Sequence, residues 1–189
     1  MKKKKKNFIK IISGILKNQK IYTPKTNLLR PTTNYIKETL FNWLMFSIKN
    51  STCLDCFSGS GSLAIESISR GAKKITAIEK NFFFIKYLKK NLLRLKIKNF
   101  FLIHNDCIKW LKNNKSFAYD IVFLDPPYSN IKLLNNTINL INKRKWIKKN
   151  SLIYIEKKND KKKIYVPKKW TLLKLKKTKN IQFQLFLKI

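Results

Sequence analysis

Four acids, Asp55, Glu79, Asp106 and Asp125, fall at intervals of 24, 27 and 19 residues, and each follows a short apolar stretch. This is the rhythm of repeated βα units: a strand, a polar group at its carboxyl end, and a helix that carries the chain back to begin the next parallel strand. The expected strands are Thr52 to Cys56, Lys74 to Ile78, Phe100 to His104 and Ile121 to Leu124. Between them the apolar spacing predicts helices from Ser62 to Arg70, closed by Gly71, from Phe82 to Leu95, and a short one around Ile108 to Leu111. A helix near Ile131 to Asn142 and a strand Leu152 to Glu156 follow. The last two strands, Thr171 to Leu175 and Gln182 to Leu187, are close enough to pair as an antiparallel hairpin. The expected fold is α/β: a mostly parallel, doubly wound sheet with its last strands running differently.

Composition sharpens the acids. The chain has 43 basic residues against nine acids, a net charge of +34. Such basicity favours a polyanionic partner, because phosphates neutralised by lysine or arginine release counterions. Yet 39 of the basic residues are lysine and four are arginine, and Lys, Asn and Ile together make 84 of the 189 residues. That bias toward A/T-rich codons weakens the inference from charge. It strengthens the inference from the nine acids and four glycines, which stand against the drift. Two of the glycines, Gly59 and Gly61, lie just after the first strand.

Before the parallel units, residues 1–7 form a basic tail and residues 8–28 a β-hairpin extension, with strands Phe8 to Ile12 and Lys20 to Tyr22. A helix capped by Thr32 or Thr33 begins the main domain, 29–189, with Ile36, Leu40, Phe41, Trp43 and Leu44 on its apolar side. Glu66 in the helix after Gly61 reads as a surface or capping residue, and His104 as a packed strand-end residue. No apolar run suits a membrane span or a targeting signal, so a cytoplasmic protein is expected. Cys53, Cys56 and Cys107 are odd in number and fit a reducing compartment. The Cys53/Cys56 pair has no second pair, and the single histidine, His104, leaves a zinc site short of ligands; no metal is expected.

In open parallel sheets, ligands bind outside the carboxyl ends of the strands, where the strand order switches. Asp55, Phe57, Ser58, Gly59, Ser60 and Gly61 occupy that place after the first strand, and the glycines allow a tight turn and a close ligand. Glu79 closes the second strand, where a carboxylate accepts from ribose hydroxyls. Asp106, followed by Cys107, closes the third, in reach of an adenine amine. No Walker sequence follows to suggest a nucleoside triphosphate.

Asp125, Pro126, Pro127 and Tyr128 close the fourth strand. Taken alone they fit two readings. One is a strand-ending turn capped by an acid. The other is a site for an exocyclic base amine. A carboxylate and a rigid carbonyl binding the two amine hydrogens draw the nitrogen toward tetrahedral geometry and free its lone pair, while the tyrosine ring stacks on the base.

The order D-x-F-x-G-x-G, strand-end Glu, Asn105-Asp106 and then D-P-P-Y resembles the class I S-adenosylmethionine-dependent methyltransferases that modify base amines. More narrowly, Leu29 to Leu44 (LRPTTNYIKETLFNWL), Cys53 to Ala72 (CLDCFSGSGSLAIESISRGA) and Asp120 to Tyr128 (DIVFLDPPY) resemble the bacterial 16S ribosomal RNA guanine-966 N2-methyltransferases, from about Ile9 to Leu187. The segment from Arg30 to Asn42 is the discriminating part.

The resemblance implies a Rossmann-like, seven-stranded sheet with an antiparallel last strand, the cofactor S-adenosyl-L-methionine, and guanine in 16S rRNA of the small (30S) ribosomal subunit as substrate. It also implies that Phe57 to Gly61 surround the methionine part of the cofactor, that Glu79 holds its ribose and Asp106 its adenine. Asp125 and the Pro126 carbonyl would bind the guanine N2 amine, with Tyr128 stacked on the ring. A monomer is expected.

Lys10 and Lys17 stand in a hairpin where the family carries arginines, keeping the charge for RNA but losing bidentate phosphate geometry. Arg30 fits a contact to cofactor or RNA phosphate, or an ion pair with Glu38. Two rival functions share parts of this pattern: a DNA adenine-N6 methyltransferase, which lacks an evident target-recognition insertion here, and a ribosome-binding protein without catalysis, which leaves the preserved acids and glycines unexplained.

Overall fold

The parallel units predicted from the strand-end acids are present. The structure is a computed structural model, and it describes residues 7–26, 33–127 and 130–189. The main sheet is built from β3 (Thr52–Asp55), β4 (Lys74–Glu79), β5 (Phe100–His104), β6 (Tyr119–Leu124), β7 (Ile147–Lys158), β8 (Trp170–Lys177) and β9 (Ile181–Lys188). Its seven strands lie in the order β5-β4-β3-β6-β7-β9-β8. The first five run parallel, β9 is antiparallel to β7, and β8 is antiparallel to β9. The pairing of β8 with β9 follows the expectation. What spacing did not indicate is that β9, last in the chain, inserts between β7 and β8.

Helices cover both faces. α1 (Asn34–Trp43) and α2 (Ser62–Ser69) pack on one, where Leu40, Phe41, Leu63 and Ala64 meet Cys53, Ile75, Phe123 and Tyr154. α4 (Cys107–Asn113) and α5 (Ile131–Lys143) pack on the other, where Leu111, Leu134 and Ile138 meet Leu54, Val122 and Ile153. With both faces covered, central strands are continuous apolar runs: Ile121, Val122, Phe123 and Leu124 are each at most 1% exposed. Helix starts follow the expected chemistry. Thr33 caps α1 by accepting from the Ile36 N–H, and Asn81 caps α3 (Phe82–Arg94) by accepting from the Phe83 N–H. β7 is longer than expected at its amino end. The register with β6 shifts there between Tyr119 and Ile121, and the exposed residues Lys148 to Asn150 loop outward before Ser151 rejoins the core.

The amino-terminal hairpin, β1 (Asn7–Lys10) and β2 (Lys20–Thr23), is antiparallel as expected. It forms a third layer rather than a free arm. Ile9, Ile11 and Ile21 pack with Ile65 of α2 and with Leu88 and Leu95 from the region of α3. Glu66 is the centre of this junction and is fully buried, which corrects its reading as a surface residue. Its Oε2 accepts from the Ile12 N–H at 2.9 Å and its Oε1 from the Ser13 N–H at 3.0 Å and from Arg70 Nε at 2.9 Å. Lys37, also fully buried, stands 3.6 Å from Glu66 and donates to the Lys10 carbonyl. Burial pulls the Lys37 ammonium below its usual range, against the opposing pull of Glu66. Asn91 closes the far side, accepting from the Tyr22 N–H and donating to its carbonyl.

Gly14 adopts φ +84°, and a Cβ there would lie 1.8 Å from the Ser69 carbonyl oxygen. Gly14→Ala is therefore expected to free the hairpin from α2, read as faster proteolysis within residues 11–19. Glu66→Gln leaves the buried Lys37 without its counter-charge. The expected loss is on the order of 3 kcal/mol, or about 6–12 °C in the thermal midpoint; a midpoint within 2 °C or so of the unmutated protein overturns this role.

Candidate active site

The switch in strand order lies between β3 and β6. From β3 the chain steps outward through β4 to β5, then returns to place β6 on the opposite side of β3. Asp55 pairs in register with Phe123, and the Cys56 N–H donates to the Phe123 carbonyl at 3.1 Å. The loop after β3 and the segment Asp125, Pro126, Pro127 after β6 therefore leave neighbouring strands side by side, with strand axes about 4.8 Å apart.

The loop is shaped by hydrogen bonds to β4. The Ser58 N–H donates to the Ile78 carbonyl at 3.0 Å, and the Gly59 N–H donates to Glu79 Oε2 at 2.8 Å. Glu79 Oε1 accepts from the Asn81 N–H at 2.6 Å, so this carboxylate joins the loop to the start of α3. Each oxygen keeps lone-pair capacity for a ligand hydroxyl. Gly59 and Gly61 have φ +50° and +75°. A Cβ on Gly61 would meet Leu88 Cδ1 at 2.4 Å, so Gly61 serves both the turn and the approach of α2 to α3. The Ser58 and Ser62 hydroxyls are buried and have no hydrogen-bond partner among the described residues. Unsatisfied polar atoms at a glycine turn suit a polar ligand that completes their hydrogen bonds.

Asp55 is 2% exposed and accepts from the Phe57 N–H at 3.3 Å. Burial pushes its carboxyl up to about 7, assisted by the nearby charge of Glu79 and opposed by the Phe57 N–H. Phe57 and Ser60 lie in the same loop, partly exposed. Asp106 sits where the spacing placed it, after β5, and its Oδ1 accepts from the Lys109 N–H at 3.1 Å as the cap of α4. Cys107 is buried in the floor beneath, with its thiol in hydrogen-bond contact with Cys56; burial raises the Cys56 thiol well above its usual value. Among the described residues no cluster of His, Cys, Asp or Glu could hold a metal ion. His104 ends β5 as expected but is exposed rather than packed: its ring lies 5.8 Å from that of Phe82, because β5 is an edge strand.

Asp125 is partly exposed, Pro126 buried and Pro127 exposed. Tyr128 and Arg30 lie outside the described residues. Lys10 and Lys17 are exposed on the hairpin. Sequence reasoning missed the group Lys37, Glu66, Arg70 and Asn91, which seats that hairpin. The scarcity of acids was a usable signal for Glu66; nothing marked Asn91 among twenty asparagines.

A parallel sheet in this order, with an antiparallel strand inserted near one edge and a glycine turn at the switch point, is the fold of a class I methyltransferase. The family model described as conserved hypothetical protein 95 matches residues 9–187. Ribosomal RNA small subunit methyltransferase D of Buchnera aphidicola is 51% identical over 186 residues, covering 97% of this chain and 95% of its own. The solved structure of the Escherichia coli protein yhhF superposes with a TM-score of 0.89 at 35% identity, covering 96% of this chain and 98% of that one. The fold extends to TYW2 of M. jannaschii, solved in complex with AdoMet, at a TM-score of 0.67 and 17% identity, covering 100% and 89%. The chain belongs to the ribosomal RNA small subunit methyltransferase D family.

Asp55 generates a prediction with a definite sign. Its folded value, about 7, lies above the ordinary carboxylate value of 3.8. Across that window the folded protein keeps on Asp55 a proton that the unfolded chain releases, so the contribution of Asp55 to stability falls as pH rises from about 4 to about 7. Thermal unfolding of Asp55→Asn should show a shallower decline over that range than the unmutated protein; parallel curves overturn the assignment.

Proposed function

We propose that this methyltransferase transfers a methyl group from S-adenosyl-L-methionine to the exocyclic N2 amine of a guanine in 16S rRNA of the small ribosomal subunit. The observation that carries the reading is the adjacency of β3 and β6, which sets Asp125, Pro126 and Pro127 beside the Phe57 to Gly61 turn. The relative that matches 97% of the chain is named for small-subunit ribosomal RNA, which favours RNA over DNA adenine as the substrate.

The loop Phe57 to Gly61, with the Ser58 hydroxyl unpartnered among the described residues and the Glu79 and Asp106 carboxylates, fits a ligand with a charged amino acid end, a ribose and an adenine. When bound, that cofactor supplies an electrophilic methyl group on a sulfonium. Glu79 holds the ribose hydroxyls and Asp106 the adenine amine. Asp55 stiffens the turn through the Phe57 N–H, and Cys107 lines the floor.

On the β6 side, the Asp125 carboxylate and the Pro126 carbonyl accept hydrogen bonds from the two N2 hydrogens and orient the nitrogen lone pair toward the cofactor; the single proton released on methylation leaves to Asp125, directly or through water. Pro126 and Pro127 fix the backbone that presents them. Tyr128 is assigned to stack on the guanine ring. Positioning and exclusion of water carry most of the acceleration, since no covalent enzyme intermediate is needed. Lys10, Lys17 and Arg30 contribute RNA phosphate contacts, and the enzyme acts as a cytoplasmic monomer.

Labelled methyl transfer to small subunits lacking the modification tests the function: incorporation into 16S rRNA is expected, and incorporation only into DNA refutes it. Asp125→Ala should abolish transfer while S-adenosylmethionine still binds with near-normal Kd by calorimetry. Glu79→Ala should weaken that binding at least tenfold, in proportion to about 1.4 kcal/mol or more of lost hydrogen bonding; unaltered binding removes Glu79 from the ribose role.

A further inference from the structure

The outer face of α3 carries groups that the crevice does not use. The inner face of the helix is already supplied by Phe84, Ile85 and Leu88, all buried. On the solvent-facing flank, Phe83 is 67% exposed and Tyr87 37% exposed, and Lys90 and Arg94 continue the same line at helical spacing. At the foot of this line the Arg94 guanidinium stands 5.0 Å from the centre of the Tyr22 ring in β2 and donates to the Lys20 carbonyl. Rings and then cations thus lead from the first turn of α3, near Glu79, to the amino-terminal hairpin. The eleven helical steps from Phe83 to Arg94 span about 16 Å at the helical rise.

Two exposed rings followed by two cations match one partner chemistry closely. Exposed aromatic faces stack bases of any sequence, and cations farther along the line meet the phosphates. A protein interface also favours aromatic rings and arginine but is depleted of lysine, which this line carries at Lys90. The hairpin end of the line is rigid, because Glu66 and Asn91 hold β1 and β2 to α2 and α3.

We propose that the outer face of α3, together with the hairpin, is a track for single-stranded nucleotides flanking the target base, leading them from the hairpin to the rim of the crevice. The substrate class rests on the rRNA reading above; the track itself is tested separately by direct binding. Phe83 and Tyr87 are stacking residues here, and Lys90 is a phosphate contact.

The experiment compares the full-length protein with the double variant Phe83→Ala, Tyr87→Ala and with Lys90→Ala. Two readouts are taken: methyl-transfer kinetics on unmodified small subunits, and fluorescence-anisotropy binding to a protein-free single-stranded oligoribonucleotide from small-subunit rRNA. The double variant should raise KM for subunits and Kd for the oligoribonucleotide by about tenfold or more, with kcat and S-adenosylmethionine binding unchanged. Lys90→Ala should lower the salt slope of RNA binding by about one. Phe83→Tyr with Tyr87→Phe, which keeps both rings, should restore binding, separating stacking from folding defects.

Oligoribonucleotide binding unchanged in the double variant overturns the track. Weakened binding to subunits with unchanged binding to free RNA also overturns it, placing a ribosomal protein on this face. If the unmutated protein transfers no methyl group to subunits, the function fails, while the binding readout still decides the track.

Discussion

The pairing of β3 with β6 is the constraint on which the site depends. Two strands 68 residues apart, as Thr52 and Asp120 are, become neighbours only because the chain reverses its direction of travel across the sheet there. At the amino ends of the pair, Asp120 accepts from the N–H and hydroxyl of Thr52, each at 2.8 Å, and binds Lys148 at 2.6 Å. Burial works against the Asp120 carboxylate, but Lys148 and the Thr52 donors prevail and hold it below its usual range. At the carboxyl ends, the same pairing brings the glycine turn beside Asp125. One acid secures the pair at one end and another stands at the crevice at the other.

A chain of net charge +34 repels itself, so its few acids carry unusual weight. Glu66 seats the hairpin, Glu79 joins the glycine turn to α3, Asp106 starts α4 and Asp160 anchors Lys157 after β7. Glu156, fully buried, accepts from the Tyr154 hydroxyl at 2.7 Å on the strand next to β6. Compositional drift toward lysine is tolerated on the surface, where an added ammonium is solvated. It is not tolerated where a carboxylate receives several backbone N–H groups that no lysine can satisfy.

The hairpin and the crevice are mechanically connected. α2 begins at the glycine turn and ends at Glu66, Ser69 and Arg70, which hold the hairpin; α3 begins at Glu79 and ends at Asn91 and Arg94, which hold its other strand. The position of the hairpin is therefore registered against the glycine turn and the start of α3 through two short helices.

The strands, helices and strand-end acids were legible because they depend on local patterns: apolar runs of strand length, helical spacing, a threonine cap before α1, and glycines where φ is positive. The Asp125 segment was legible as chemistry but not as geometry, since its meaning depends on which strand lies beside it. Glu66 and Asn91 were misread or overlooked because the backbone groups they bind lie more than fifty residues away, and a side chain's local sequence carries no trace of those groups. The place of β9 was equally hidden, for hairpin pairing with β8 is local but insertion beside β7 is set by sheet packing. By itself, the sequence determined the units and the chemical groups at their ends. Only the tertiary structure decided which ends meet, because strand neighbours are chosen by burial of whole faces rather than by any residue's own preference.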